Sequence, residues 1–474
     1  MNSVNNSIFK GLVWTAVDKF GSLGIQFLVM IILARLLNPA DFGMIGMLSL
    51  FMAVGSLLID SGFSHALIQK EIVTKDDCST VFFINILIGL LLFFVLYFSA
   101  PYIAIFFHTP KLLDLSRVLF LMFPVNSLYV VHLAKLTRNM EFKKIALISV
   151  ISAIVSASVG IYSACIGLGV WSLVYQQLSM YFTRLVLYWT MSHVKIALKI
   201  SRTTLCSMMG FSSKLLGTGL ITTFFDNIYV FLVGRFYPLK ATGYFNHAWQ
   251  YGNMLPSLLT GIVSKTTYPM FCKQNSNIVE QRETIKRILN MSLFVSIPCM
   301  FAASVCAHSL FVFLFSEKWI HSVPLFQIIC LYGAFLPLRV VNLDGIKAQG
   351  RGTIFFVLET IQRILVVLSI LLTLRLGMEE LLIARNVALL MSVVIDMYIC
   401  GLYTKYSILD QLKCNWSVIL SATLAGFATH VIGQMFIGTF AALLSQFLFF
   451  ILVYIGLCFF FNNDILCYIV RRVH

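Results

Sequence analysis

At 474 residues, with 59% hydrophobic and 11% charged side chains, the chain is far too apolar for a soluble protein, in which about a quarter of residues carry charge. The formal net charge of +15 invites a nucleic-acid reading, but the basic residues fall in short loops between long apolar runs, which excludes that class of partner. Eleven cysteines stand singly among apolar neighbours, as at Cys165, Cys299, Cys306, Cys330 and Cys458. With no CxxC pair and no histidine cluster they exclude a zinc site or a disulfide framework and read as small packing residues.

A helix needs about 20 mostly apolar residues to cross hydrocarbon. Runs of that length predict about fourteen transmembrane helices, at 11–36, 42–63, 81–101, 113–134, 146–166, 169–191, 207–234, 243–268, 288–315, 321–346, 354–374, 379–402, 416–437 and 440–461. The first run is too long for a secretory signal and lacks a small-residue cleavage site, so it is expected to stay as a helix. With the N-terminus inside, twenty Lys and Arg fall on one set of loops, among them Lys10, Lys135, Arg138, Lys199, Arg202, Arg282, Arg471 and Arg472. The other set holds five: Lys111, Arg235, Lys240, Lys318 and Arg375. Cytoplasmic loops collect basic residues, so both termini are expected in the cytoplasm.

No connection is long enough for a soluble catalytic domain. GxxxxGK[ST], a nucleophile elbow and paired catalytic carboxylates are all missing from the sequence. The chain therefore reads as a transporter and not an enzyme. A membrane-embedded glycosyltransferase or polymerase is the enzymatic alternative, and it calls for a longer outer loop than any present.

Two segments 200 residues apart in the numbering are alike. Leu33-Ala34-Arg35-Leu36-Leu37 runs on to Asp41-Phe42-Gly43, and Val233-Gly234-Arg235-Phe236-Tyr237 runs on to Thr242-Gly243-Tyr244. Each pairs a helix end in Arg with a Pro-containing turn and an aromatic and a Gly opening the next helix. The match falls at the first and seventh predicted helices, which suggests two parallel six-helix lobes, residues 1–200 and 201–402, with 403–474 as an added helix pair and tail. Transporters of that plan bind substrate between the lobes.

Ionisable groups inside spans cost about 2.5–3.5 kcal/mol each on the lenient scale and usually line a cavity. Lys19, Arg184, Lys214, Arg339 and Arg363 fall on the inner side of their spans and are candidates to hold an anionic headgroup. Lys19, Arg184 and Lys214 could equally snorkel to the interface, and Glu359 with Arg363 makes a ready i,i+4 pair. Buried acids, Asp18, Asp60, Asp226, Asp344, Glu359 and Asp396, form a second set. Asp226, Glu359 and Asp396 are candidates for proton or sodium coupling, with cross-helix pairing to a cation as the plainer reading. No bound cofactor is expected. His247, beside Asn246 and Trp249, reads as interfacial, and Trp14, Tyr102, Trp171, Tyr188, Trp189, Trp319 and Trp416 read as an interface belt.

The stretches Leu33–Leu37 with Phe42-Gly43, Asp60-Ser61-Gly62-Phe63 with Ile68-Gln69-Lys70, Met140-Glu141-Phe142-Lys143-Lys144, and Phe315-Ser316-Glu317-Lys318-Trp319 with Pro324 resemble a known family. It is the polysaccharide transporter branch of the MOP superfamily, the bacterial polysaccharide-unit flippases, and the colanic- and teichuronic-acid exporters in particular. The resemblance implies an all-α polytopic membrane protein with its two lobes in a V working by alternating access. It further implies an undecaprenyl-diphosphate-linked oligosaccharide passed across the bacterial inner membrane, with polysaccharide polymerase and chain-length machinery as partners. It carries no substrate-contacting residues, because the motifs lie at loops and helix ends. A MATE-like exporter of cationic drugs is the alternative within transport and calls for a mainly acidic cavity.

Overall fold

The computed structural model describes residues 2–60, 63–70, 73–192, 194, 196–197, 201–274, 278–433 and 440–461, without the side chains of 2–12, 65, 202–204, 206–207, 209, 211, 214–215 and 432–433. Ser61, Gly62, Lys199, Arg471 and Arg472 lie outside the described residues, as do the side chains of Lys10, Arg202 and Lys214 and the end of the run at 416–437.

Among the described residues every regular element is helical. The chain divides into two compact units, Met1–Gly243 and Tyr244–His474. The first contains α1 (Asn2–Leu36), α2 (Pro39–Asp60), α3 (Phe63–Gln69), α4 (Lys75–Phe106), α5 (Leu112–Leu119), α6 (Met122–Ser127), α7 (Val130–Arg138), α8 (Phe142–Cys165), α9 (Trp171–Met191) and α10 (Arg202–Phe236). Helix α11 (Leu239–Lys273) begins at the end of this unit and continues into the second. There it is followed by α12 (Ile278–Val305), α13 (Ala307–Phe315), a 3-10 turn (Glu317–Ser322), α14 (Val323–Ala348), α15 (Gly352–Thr373), α16 (Met378–Thr404), α17 (Ile408–Gly433) and α18 (Phe440–Phe460).

The protein is a multi-pass membrane protein: ten of its described helices are long and apolar enough to span a bilayer. An eleventh span is available if the bent segment Leu112–Ser127 plus Val130–Arg138 crosses as one. Its 41° bend follows Pro124, which offers no backbone donor. The expected spans at 169–191, 243–268 and 416–437 are helical too, as α9, α11 and α17, but none of the three is among the ten. Residues such as Gln176, Gln177, Thr183 and Arg184 in α9 dilute its apolar face.

Local rules explain several boundaries. Thr74 caps α4 by accepting the Asp77 N–H at 3.2 Å while the Asp77 carboxylate takes the Thr74 N–H at 2.9 Å, a reciprocal capping box. The α8–α9 turn needs Gly167 at φ +86°, a region that costs a side chain energy. In the first unit α1 packs on α8, α8 on α9, and α2 on α10; in the second α14 packs on α12 and α16, α15 on α16, and α17 on α18.

The 200-residue repeat has a structural counterpart. Helices α1 and α10 end at Leu36 and Phe236, and their successors begin at Pro39 and Leu239. A Cβ on Gly43 would come 2.5 Å from the Leu239 carbonyl oxygen, and one on Gly243 would run into the Pro39 carbonyl. The two contacts are the same contact with the partners exchanged by 200 in the numbering.

Candidate functional site

Helix α14 carries Arg339 into the second unit, where its side chain is 12% exposed. Its Nη2 donates to Glu359 Oε1 of α15 at 2.6 Å. Its Nε lies 3.3 Å from Asp396 Oδ2 of α16, close enough to pair, though not aligned as a hydrogen bond. Asp396 is almost fully buried at 2% exposure. The other oxygen of Glu359 stands 3.5 Å from Arg363 Nη2, one turn along α15. Three helices thus join two guanidinium groups and two carboxylates, a set with no net charge. Burying such ions is costly unless each is paired, and here each has a counter-ion.

A third arginine adjoins this set. Arg385 of α16 is buried, its guanidinium 4.5 Å from the centroid of the Trp249 ring and 5.5 Å from that of Tyr332, and 3.4 Å from Asn386 Oδ1. Tyr332 feels both Arg339 and Arg385 as well as Asp396 and Glu359, so the five side chains share one electrostatic neighbourhood. Sequence reading missed Arg385. It falls in the outer half of the expected run 379–402, whereas the candidate cations were those on the inner side, and no i,i+4 acid draws attention to it.

The first unit has its own cluster. Asp60, at the end of α2, accepts from Asn126 Nδ2 at 3.2 Å. Arg184 of α9 acts on Asp60 and engages the Tyr129 hydroxyl. The Tyr129 and Tyr188 rings stack with centroids 5.2 Å apart and planes 10° apart. Tyr181 stands beside Ser56 and feels both charges, and Asp18 acts on Tyr188.

Of the eight site residues read from sequence, the structure thus brings Arg339, Arg363, Glu359 and Asp396 into one network and sets Arg184 against Asp60. Lys19 is exposed on α1, and Asp226 is exposed on α10. The Lys214 side chain lies outside the described residues. Asp344 is buried, accepting from Thr267 Oγ1 at 2.8 Å with Lys347 3.4 Å away.

Three aromatic assignments change. His247 is not interfacial: it is 1% exposed, stacked 3.9 Å from Trp319 and edge-on 4.4 Å from Phe315. Trp319 and Tyr188 leave the interface belt for the core, since both are buried, whereas Tyr102, Trp189 and Trp416 are exposed. A span end marks an interface only if no neighbouring helix covers it, and hydropathy does not report neighbours. Cys306, Cys330 and Cys458 are buried as expected, but Cys165 and Cys299 are exposed.

Residues 32–324, more than half of the chain, match a family described as polysaccharide biosynthesis proteins. The chain belongs to that family. This polysaccharide biosynthesis protein is 25% identical over 358 residues to the teichuronic acid biosynthesis protein TuaB of Bacillus subtilis, covering 75% of this chain and 74% of TuaB. It is 21% identical over 350 residues to the succinoglycan biosynthesis transport protein ExoT of Rhizobium meliloti, covering 74% and 71%. With the lipopolysaccharide biosynthesis protein WzxC of Escherichia coli it shares 21% over 337 residues, covering 70% and 68%. Among solved structures it shares its fold with the Lipid II flippase MurJ in an inward closed conformation, at a TM-score of 0.73, 16% identity, and coverage of 96% of this chain and 99% of MurJ. An inward-facing multidrug resistance MATE transporter of the MOP superfamily superposes with a TM-score of 0.61 at 15% identity, covering 83% and 98%. The family resemblance carried by the loop and helix-end motifs therefore holds.

Proposed function

We propose that the protein is a flippase. It carries undecaprenyl-diphosphate-linked polysaccharide repeat units from the inner to the outer leaflet of the bacterial cytoplasmic membrane, for O-antigen, capsule or exopolysaccharide synthesis. The observation that carries this reading is the joining of two likenesses in one chain: to TuaB, ExoT and WzxC in sequence, and to a Lipid II flippase in fold along nearly its whole length. In this reading the helices make fourteen crossings with both termini cytoplasmic. Residues 1–200 and 201–402 are two six-helix lobes in a V that alternate their access, and 403–474 is an added pair.

The physical obstacle is a headgroup with many hydroxyls and about two negative charges. Each unpaired hydroxyl placed in hydrocarbon costs roughly 2–7 kcal/mol. A wet path lined by fixed cations removes that cost while the polyprenyl chain stays in the bilayer. Lys19, Arg184, Lys214, Arg339 and Arg363 are the cations assigned to it.

The second-unit network suggests how such a site switches. Arg339 is held by two carboxylates, Glu359 at 2.6 Å and Asp396 at 3.3 Å. A proton taken up by either carboxylate leaves the four-charge set with a net positive charge, and Arg339 can then offer its bidentate donors to a phosphate oxygen. Loss of the proton restores the internal pair and expels the anion. Asp226 is the third residue assigned to coupling, by proton or sodium. An inside-negative potential pushes anions outward by about 2.3 kcal/mol per charge per 100 mV. Two uncompensated charges thus gain roughly 4–5 kcal/mol.

The test is reconstitution of the full chain in vesicles with a labelled polyprenyl-diphosphate glycan and a leaflet-accessibility readout. The wild type is expected to speed redistribution over protein-free vesicles, and the Arg339→Ala variant is not. Redistribution no faster than in protein-free vesicles, or sugar transfer in its place, overturns the reading.

A further inference from the structure

A second cationic feature lies in the first unit and shares no residue with either charge cluster. Lys75, at the start of α4, and Lys135 and Arg138, at the end of α7, line a cavity of about 410 Å³. No carboxylate is among its described lining residues. Lys70 does not line it, and is held by both oxygens of Asp77 at 2.7 Å. Among the described residues from Lys70 to Asp77 and in the last turn of α7, the four cations Lys70, Lys75, Lys135 and Arg138 outnumber the carboxylates Asp76 and Asp77 by two.

The cations are held by the fold. Arg138 donates through one Nη1 to the Leu67 carbonyl at 3.1 Å and to the Lys70 carbonyl, which fixes its position at the end of α3. The capping box of Thr74 and Asp77 anchors Lys75 one residue along. The charges of Lys135 and Arg138 both reach Cys78, on the cavity wall.

The remaining wall is formed by the apolar side chains of Leu67, Val73 and Val194, with Thr74, Cys78 and Asn139 beside them. A soluble anion has no use for such a wall, whereas a phosphate esterified to a lipid presents its glycerol or prenyl carbon to it. The cavity lies at the start of α4, just before the apolar stretch that is long enough to span a bilayer, and the end of a spanning helix is where headgroups are met. Its volume is within the usual range of small-molecule sites, about 300–1,000 Å³.

We infer that this cavity binds the phosphate of a membrane lipid. Two lipids bring that chemistry, an anionic phospholipid and a polyprenyl diphosphate, and the experiment separates them. The purified full chain is titrated by native mass spectrometry with phosphatidylglycerol, phosphatidylcholine, undecaprenyl diphosphate and inorganic phosphate. The Lys75→Gln/Lys135→Gln double variant is expected to hold phosphatidylglycerol roughly thirtyfold more weakly, from about fivefold per basic group at a membrane surface. The Lys75→Arg/Lys135→Arg variant is expected to retain it. Mole-for-mole displacement of phosphatidylglycerol by undecaprenyl diphosphate supports the transported lipid as the ligand, and its failure supports the bulk phospholipid. Equal binding by the wild type and a normally folded Gln variant overturns the inference, as does displacement by inorganic phosphate as readily as by lipid. A chain that does not flip glycan yet loses phosphatidylglycerol in the Gln variant keeps this site and rejects the flippase reading.

Discussion

Replacing Arg339 by Ala probes the second-unit network most directly. At an effective dielectric constant of about 20, an ion pair at the 3.3 Å of Arg339 and Asp396 is worth about 5 kcal/mol of Coulomb energy, and one at the 2.6 Å of Arg339 and Glu359 about 6 kcal/mol. Desolvation offsets much of both. The substitution, however, removes the attraction and leaves the desolvation in place. Glu359 keeps Arg363 at 3.5 Å, but Asp396, at 2% exposure, is left in the bundle without its pair. Breaking a buried pair in this way costs about 3–5 kcal/mol. The double variant Arg339→Ala/Asp396→Asn removes the stranded charge and is expected to recover about half of that loss. Thermal and denaturant unfolding of the purified protein at neutral pH, run as a double-mutant cycle, measures the coupling. A cycle that closes to zero refutes the argument, because additive losses mean that the two groups do not act on each other.

Thr74→Ala removes the side-chain half of the α4 cap and is expected to cost about 1 kcal/mol; Asp77→Asn also loses the Lys70 pair and should lower the melting temperature further. Arg385→Lys keeps the charge but loses the guanidinium over the Trp249 ring, 4.5 Å from its centroid. A loss of about 1–2 kcal/mol is expected, and a melting temperature equal to wild type contradicts it. Asp410 lies outside the spans, and the Ser407 hydroxyl, with Arg282 3.5 Å away, holds its carboxyl below the ordinary range. A lowered folded-state value gives stability that is present above the unfolded carboxylate range near 4 and is lost as pH falls through the folded value. Asp410→Asn should therefore flatten the acid limb of a stability-against-pH curve and leave the limb above neutrality unchanged.

The sequence displayed the family and the helical class plainly, since both rest on features repeated along the chain. It displayed the right ions less completely. Arg339, Glu359, Arg363 and Asp396 were each visible as charges in apolar runs, and the Glu359–Arg363 spacing named one contact in advance. The pairing of Arg339 with Asp396 was not legible, because α15 separates their helices along the chain and only packing makes them neighbours. His247 and Trp319 misled for the same reason. Both stand near span ends, where aromatic residues usually meet headgroups, but they stack on each other and Phe315 of α13 closes against His247. Hydropathy also smoothed α9, α11 and α17 into spans like the rest, although their polar residues set them apart. The cationic cavity by Lys75 and Lys135 escaped notice altogether, its walls coming from segments about sixty residues apart.

The reciprocal approach of Gly43 and Gly243 means that one clearance serves two steric demands. A methyl at Gly43 must push the Leu239 carbonyl aside, and the displacement that does so also opens room beside Pro39 for a methyl at Gly243. Each alanine is therefore expected to cost about 1–3 kcal/mol for overpacking, the tighter Gly243 site the more, and the pair less than the sum of the two. The two turns make a self-complementary joint, in which mutational damage accumulates less than additively.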